Sequence, residues 1–227
     1  MGGAVPVSEA AVRPATPDHQ AAPSRTVPGA EAPGVTPAGR APVVMIIGDS
    51  FTVGSGPVTR WQSYAAQAAR ELDWQLITAG AGGTGFVNPG RVDRTFEDSF
   101  ADELAWRPAP DLLIVSGGHN DRGTPPGEVH EAAARLLDMA RGHWPATRVL
   151  VIGPLWMGAA PPWAYDVRDA LEHAAGEAGV TFLDPLGRDW GPGTTLPDGV
   201  HPTLEGHVHI GRWLVAALRE NGVHVAP

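Results

Sequence analysis

Three short polar clusters carry side chains that could do chemistry together: Gly48-Asp-Ser50, Gly117-Gly-His-Asn-Asp121 and Asp198-Gly-Val-His201. The chemistry they suit is acyl transfer. A serine hydroxyl is a poor nucleophile until an imidazole takes its proton, and the imidazole in turn needs a carboxylate to fix its tautomer and stabilise its charged form. Ser50 is the candidate nucleophile, His201 the base, and Asp198, three residues earlier in the same turn, can reach the His201 ring. Pro202 steers His201 away from helical geometry, which keeps the ring on a loop. A tetrahedral intermediate also needs hydrogen-bond donors at its oxyanion, and losing one typically slows catalysis by roughly a hundredfold. The available donors are the backbone N–H of Ser50, the side-chain amide of Asn120, and a backbone N–H from the glycine run Gly80-Ala-Gly-Gly-Thr-Gly85. Taken singly, each cluster also reads as an ordinary polar turn. Only their conjunction points to a site.

These clusters must be positioned by the elements around them. Residues 43–47 form a run of five apolar residues, too short for a typical helix and suited to a strand buried on both faces. It stops at Gly48, where the chain can turn sharply and leave Ser50 beyond the strand's C-terminal end. Further strands are expected at 74–78, 111–116, 148–152 and 181–183. Helical spacing predicts helices over 60–72, 126–142, 165–179 and 203–221, with residues 91–108 part helical. The 60–72 pattern counts Trp61, Tyr64, Ala65, Ala68 and Leu72 as its apolar face. Thr203 is a good N-cap, and Asn221-Gly222 a good stop, for the last helix. Alternation of this kind argues for a parallel sheet with helices on both faces. In such a sheet all strand C-termini share one edge, so the three clusters should converge there.

Composition narrows the function classes. The chain has 227 residues, a formal net charge of −9 and a pI near 5.4, with arginine but no lysine and no basic run. Nucleic acid is therefore not an expected partner. Cysteine is absent, which excludes thiolate nucleophiles and disulfides. No apolar run reaches the roughly 18 residues of a membrane helix. Residues 1–40, with prolines at 6, 14, 17, 23, 28, 33 and 37, read as a disordered Ala/Pro-rich tether ahead of one catalytic domain at 41–227. Such tethers often join an exported domain to a signal peptide or anchor, which makes an extracellular or envelope location one expectation; a loose tail on a cytoplasmic protein is the equal alternative, and a monomer is expected in either case.

With GDSF, Gly118-His-Asn-Asp121 and Asp198 to His201 in that order, the chain resembles the SGNH hydrolases, the GDSL-type esterases and lipases, over residues 43 to about 220. The resemblance implies a three-layer α/β/α sandwich of flavodoxin-like topology with a five-stranded parallel sheet. It also implies Ser50 as nucleophile, His201 as base, Asp198 as its orienter, and Gly83 with Asn120 completing the oxyanion hole. Two positions depart from the family: Thr78-Ala79 stands where an asparagine often precedes the glycine block, so Gly82 competes with Gly83, and Phe51 replaces the usual leucine.

The glycine run satisfies G-x-G-x-x-G, but Phe86-Val-Asn-Pro-Gly90 ends structure where a dinucleotide site needs a helix to open. A two-metal phosphoesterase would need a different order of letters around Asn120, and His207 and His209 are two apart, so they read as surface helix residues and not as ligands beside His201. No metal or cofactor is expected. An acyltransferase would use the same triad to pass the acyl group to a sugar hydroxyl. With no long amphipathic lid in the sequence, small acyl groups such as acetyl, on a carbohydrate or simple ester, are the expected substrates. Trp156 and Met157, in the apolar loop 154–163, are expected to wall the acyl pocket.

Overall fold

The computed structural model describes residues 1–2 and 40–225; the tether expected over 1–40 lies, but for its ends, outside the described residues. Five strands, β1 (Val43–Gly48), β2 (Gln75–Ala79), β3 (Leu112–Ser116), β4 (Arg148–Ile152) and β5 (Thr181–Leu183), form one sheet in the order β2-β1-β3-β4-β5. Every pairing is parallel. Among the described residues, six α-helices accompany them: α1 (Ser50–Val53), α2 (Tyr64–Glu71), α3 (Phe96–Ser99), α4 (Pro126–His143), α5 (Pro162–Glu177) and α6 (Leu204–Glu220).

Alternation along the strands sorts the core into two layers. Met45, Ile47, Leu113, Val115, Val149 and Val151 face one way, onto α4 and α5. Val44, Ile46, Leu112, Ile114, Leu150 and Ile152 face the other, onto α2 and α6. The result is the expected α/β/α sandwich with a five-stranded parallel sheet. Strand order reverses at β1, because the chain leaves it for β2 on one side and returns to β3 on the other. A crevice opens at such a switch point, outside the strands' carboxyl ends. Here β1 and β3 end in register, Gly48 beside Ser116, so the Ser50 and Asn120 clusters leave the sheet side by side.

The helix expected over 60–72 is shorter. Arg60–Gln62 is a 3₁₀ turn, Ser63 is extended, and its hydroxyl caps α2 by accepting from the Ala66 N–H. Trp61 therefore falls outside the amphipathic face and is 75% exposed. The polar side chains of Thr59, Gln62 and Ser63 win this segment by bonding local backbone that a continuous helix would use. Helix α5 begins three residues before the expected 165, since Pro162 at its first position needs no N–H partner. In the 91–108 region α3, capped by Thr95, runs into a π-helical turn, Phe100–Leu104.

The expectation that His207 and His209 sit on the helix surface is corrected. His207 is 0% exposed, because α6 packs on α2 through a broad face, and its Nδ1 accepts from the Tyr64 N–H at 3.1 Å. His209 is half-buried, with Nδ1 2.7 Å from the Trp190 carbonyl oxygen. Among the described residues no helix is long and apolar enough to cross a membrane.

Candidate active site

Two glycines bring the Ser50 turn against the sheet. A Cβ on Gly48 would collide with Thr52 Oγ1 and lie 3.0 Å from the Ser116 carbonyl oxygen. One on Gly80, at φ +99°, would collide with the Gly48 carbonyl oxygen. The chains after β1 and β2 thus touch backbone to backbone. Between them, the Asp49 carboxylate caps α1 by accepting from the Phe51 N–H at 2.9 Å. Ser50 opens that helix.

The Ser50 hydroxyl lies 3.0 Å from His201 Nε2, and His201 Nδ1 lies 2.7 Å from Asp198 Oδ2. The other Asp198 oxygen accepts from the backbone N–H groups of Val200 at 2.9 Å and His201 at 3.0 Å. The His201 backbone and ring bonds, with that from Val200, hold the Asp198 carboxyl well below the usual carboxylate range, at about 2. An ionised Asp198 fixes the proton on Nδ1 and leaves the Nε2 lone pair facing the hydroxyl. The turn itself is braced by Leu196, whose N–H donates to the His201 carbonyl at 2.7 Å, and by a bridge between Thr195 and Pro202.

The donors expected for an oxyanion approach the same hydroxyl. A Cβ on Gly82 would stand 3.6 Å from the Ser50 Cβ, so this residue backs directly onto the serine; Gly83 follows at φ +82°. Asn120 Nδ2 donates to the Thr84 carbonyl oxygen at 2.9 Å and, at a longer 3.3 Å, to Asp49 Oδ2.

Asp121, fully buried, accepts from three successive N–H groups, Phe86 at 3.1 Å, Val87 at 2.9 Å and Asn88 at 3.0 Å. The Asn88 side chain donates back to the Asn120 carbonyl at 2.7 Å. These bonds tie the segment that follows the glycine run to the loop after β3. The run is followed by a 3₁₀ turn, Gly90–Val92, and not by the helix a dinucleotide would need.

Ser50, Gly82, Gly83, Asn120 and His201 line a cleft of about 570 Å³, open to solvent, which His119, Asn88, Arg91 and Val200 complete. The sequence motifs imply no role for His119. Its ring stacks on Trp156, centroids 4.2 Å apart, with Nδ1 3.1 Å from the Leu155 carbonyl oxygen, and burial depresses its pKa. The signal for it was its place between Gly118 and Asn120, which forces it to the same rim. Trp156 and Met157 are not among the cleft-lining residues. Trp156 stands behind His119, and Met157 is buried in the core beside Leu155 and Trp190. A second groove, also about 570 Å³, runs along β2 between Trp61 and Trp74, away from Ser50.

Residues 46–208 match the GDSL-like Lipase/Acylhydrolase family. A GDSL lipase of Mycobacterium tuberculosis (strain ATCC 25618 / H37Rv) is 33% identical over 183 residues, 74% of this chain and 77% of that one. Among solved structures, an active-site mutant of a family two carbohydrate esterase from Clostridium thermocellum superposes with a TM-score of 0.66 at 17% identity, over 80% of this chain and 64% of that one. A carbohydrate acetylesterase family member from Sinorhizobium meliloti superposes with a TM-score of 0.61 at 23% identity, over 79% of this chain and 98% of that one. Sequence match and shared fold agree, and the chain belongs to the GDSL-like, or SGNH, family of lipases and acylhydrolases and is a carboxylic ester hydrolase.

Proposed function

We propose that Ser50, His201 and Asp198 act as nucleophile, base and orienter in a double-displacement hydrolysis of small acyl esters. The observation that carries this reading is the hydrogen-bonded row from Asp198 through His201 to Ser50, at 2.7 and 3.0 Å, which ends in the cleft. Ser50 Oγ attacks the ester carbonyl carbon as its proton passes to His201 Nε2, and the carbonyl π pair moves onto oxygen. That oxyanion is met by the N–H of Ser50, the backbone N–H groups around Gly82 and Gly83, and the Asn120 amide. When the C=O bond re-forms, the ester C–O bond breaks, and the leaving alcohol takes the proton from Nε2. Water repeats the sequence on the acyl-enzyme, giving back free Ser50 and a carboxylic acid. Asp198 stays ionised throughout and holds the imidazolium.

Short acyl groups, acetyl above all, on a carbohydrate suit the open cleft and accord with the carbohydrate acetylesterase of the same fold. The Ala/Pro-rich first forty residues suit export to the envelope or beyond. A fluorophosphonate tests the chemistry: one adduct, mapped to Ser50 and absent from Ser50→Ala, is the expected result. An adduct elsewhere, or hydrolysis surviving in Ser50→Ala, overturns the assignment. Rates on p-nitrophenyl esters are expected to fall as the acyl chain lengthens from acetate, and fastest turnover of long chains would overturn the substrate reading.

A further inference from the structure

On the sheet face opposite α2 and α6, away from the esterase cleft, helices α4 and α5 bring together three side chains that the reaction does not use. His130 comes from α4, and His173 and Glu177 come from α5. His173 and Glu177 are one helical turn apart and so share a face. His130 Nε2 lies 2.8 Å from Glu177 Oε2, and His173 Nε2 lies 3.6 Å from Glu177 Oε1. One donor atom from each of the three lies within 4.8 Å of the others. The two imidazoles stack, centroids 4.9 Å apart and planes 28° from parallel.

We propose that His130, His173 and Glu177 form a site for one divalent transition-metal ion, of which Zn²⁺ is the best chemical fit. Two imidazole nitrogens and one carboxylate oxygen are borderline donors of the kind Zn²⁺ prefers, in the His₂Glu set known from tetrahedral sites with water in the fourth position. Bond lengths of about 2.0–2.1 Å place tetrahedral ligand atoms about 3.3 Å apart. The two histidine-to-carboxylate spacings, 2.8 Å to one Glu177 oxygen and 3.6 Å to the other, fall either side of that value, and the three ligand atoms lie within 4.8 Å of one another, so closing on an ion takes side-chain rotation. The 3.6 Å separation of His173 from Glu177 is too long for a good hydrogen bond, and an ion between the two would give the His173 ring a partner. A hollow of about 500 Å³ beside His130 and His173, lined also by Asp166 and Asp169, leaves room for the water. Because the ligands come from two helices, the ion cross-links α4 to α5. It is therefore a structural staple, bound only by the folded chain.

The test is titration of the full-length, chelator-treated protein with ZnCl₂ by calorimetry, alongside melting curves with and without the salt. The wild type is expected to bind one equivalent saturably and to melt several degrees higher with Zn²⁺. His173→Ala and Glu177→Gln are expected to lose at least tenfold in affinity and most of the melting shift. Both are surface substitutions, expected to keep the wild-type melting temperature and ester hydrolysis in metal-free buffer. No saturable binding, or binding and melting shift unchanged in His173→Ala, would overturn the site. Because esterase activity is read separately in metal-free buffer, this outcome is independent of the Ser50 mechanism.

Discussion

Asp49 and Asn120 are joined by a hydrogen bond, 3.3 Å from amide nitrogen to carboxylate oxygen, across 71 residues of chain. The same carboxyl caps the helix that carries Ser50. One buried group therefore sets both the Ser50 turn and the aim of the Asn120 side chain, which is proposed to meet the oxyanion. Asp49→Ala is expected to lower stability by about 1 kcal/mol through the lost cap and kcat by tenfold or more through the freed Asn120. Asp49→Asn can still accept from the Phe51 N–H but turns an amide donor toward Asn120, so it should recover melting temperature and not kcat. Equal recovery of both would show that Asp49 acts on the cap alone.

Asp198→Asn isolates the tautomer. Both backbone donors, Val200 and His201, hold one Asp198 oxygen, so the asparagine carbonyl stays there and its NH₂ group faces His201 Nδ1. That arrangement forces the ring proton onto Nε2 and points it at Ser50. A fall in kcat/KM of about a hundredfold or more is expected with little change in the fold. A fall of less than threefold would remove Asp198 from the mechanism.

Two buried groups give stability opposite dependences on pH. Burial, and secondarily the charge of His201, lowers the His207 pKa to about 4. Between roughly pH 4 and an ordinary imidazole pKa near 6.5 the unfolded chain takes up a proton that the native state refuses, so stability falls on acidification, by up to about 3 kcal/mol. Burial also raises the Asp49 carboxyl to about 7, against the opposing pull of the Phe51 N–H. Asp49 is thus protonated more readily folded than unfolded, and its contribution is lost as pH rises from about 4 through 7. The two slopes oppose each other in the wild type, and His119, whose pKa burial also lowers, adds to the slope of His207. His207→Asn, which keeps an acceptor for the Tyr64 N–H, should show stability falling as pH rises across this window; Asp49→Asn should show it rising. Parallel urea-denaturation profiles for all three proteins would contradict both assignments.

Gly80→Ala tests the contact between β1 and β2. Its positive φ and the absence of space beside the Gly48 carbonyl oxygen leave no place for a methyl group. A loss of about 3 kcal/mol or more in urea unfolding is expected, with reduced hydrolysis because Gly82 moves away from Ser50. A loss under about 0.5 kcal/mol, the size of an ordinary surface change, would mean that the loop relaxes freely.

The central strands β1, β3 and β4 were legible because a strand buried on both faces needs a short apolar run, and each gives way to a glycine, Gly48, Gly117 or Gly153, at its end. β4 and β5 match the expected limits, and β3 begins one residue later. Helix α6 was legible through its caps, Thr203 and Asn221. That Ser50, Asn120 and His201 share one rim followed from a parallel sheet alone. Apolar periodicity failed where polar groups decided the outcome: Ser63 ended the 3₁₀ turn and began α2, which left Trp61 in solvent. It failed equally for His207, whose burial depends on a backbone N–H 143 residues away. The positions of Trp156 and Met157 depend on how the loop after β4 folds over the sheet edge, which no local spacing encodes. Asp49 and Asp121 were visible as letters, but the number of backbone donors each satisfies is a property of the assembled loops.

The grip of Asp121 on residues 86–88 has a bearing on protein engineering. Segment 81–90 looks, in the linear chain, like a module that could be exchanged to retune specificity. Its shape is held from outside, by a carboxylate on another strand's exit, and a Cβ at position 85 would press within 2.5 Å of that carboxylate. A transplanted loop therefore has to arrive with a glycine at 85 and three free amides after it, or Asp121 must be redesigned in the same step.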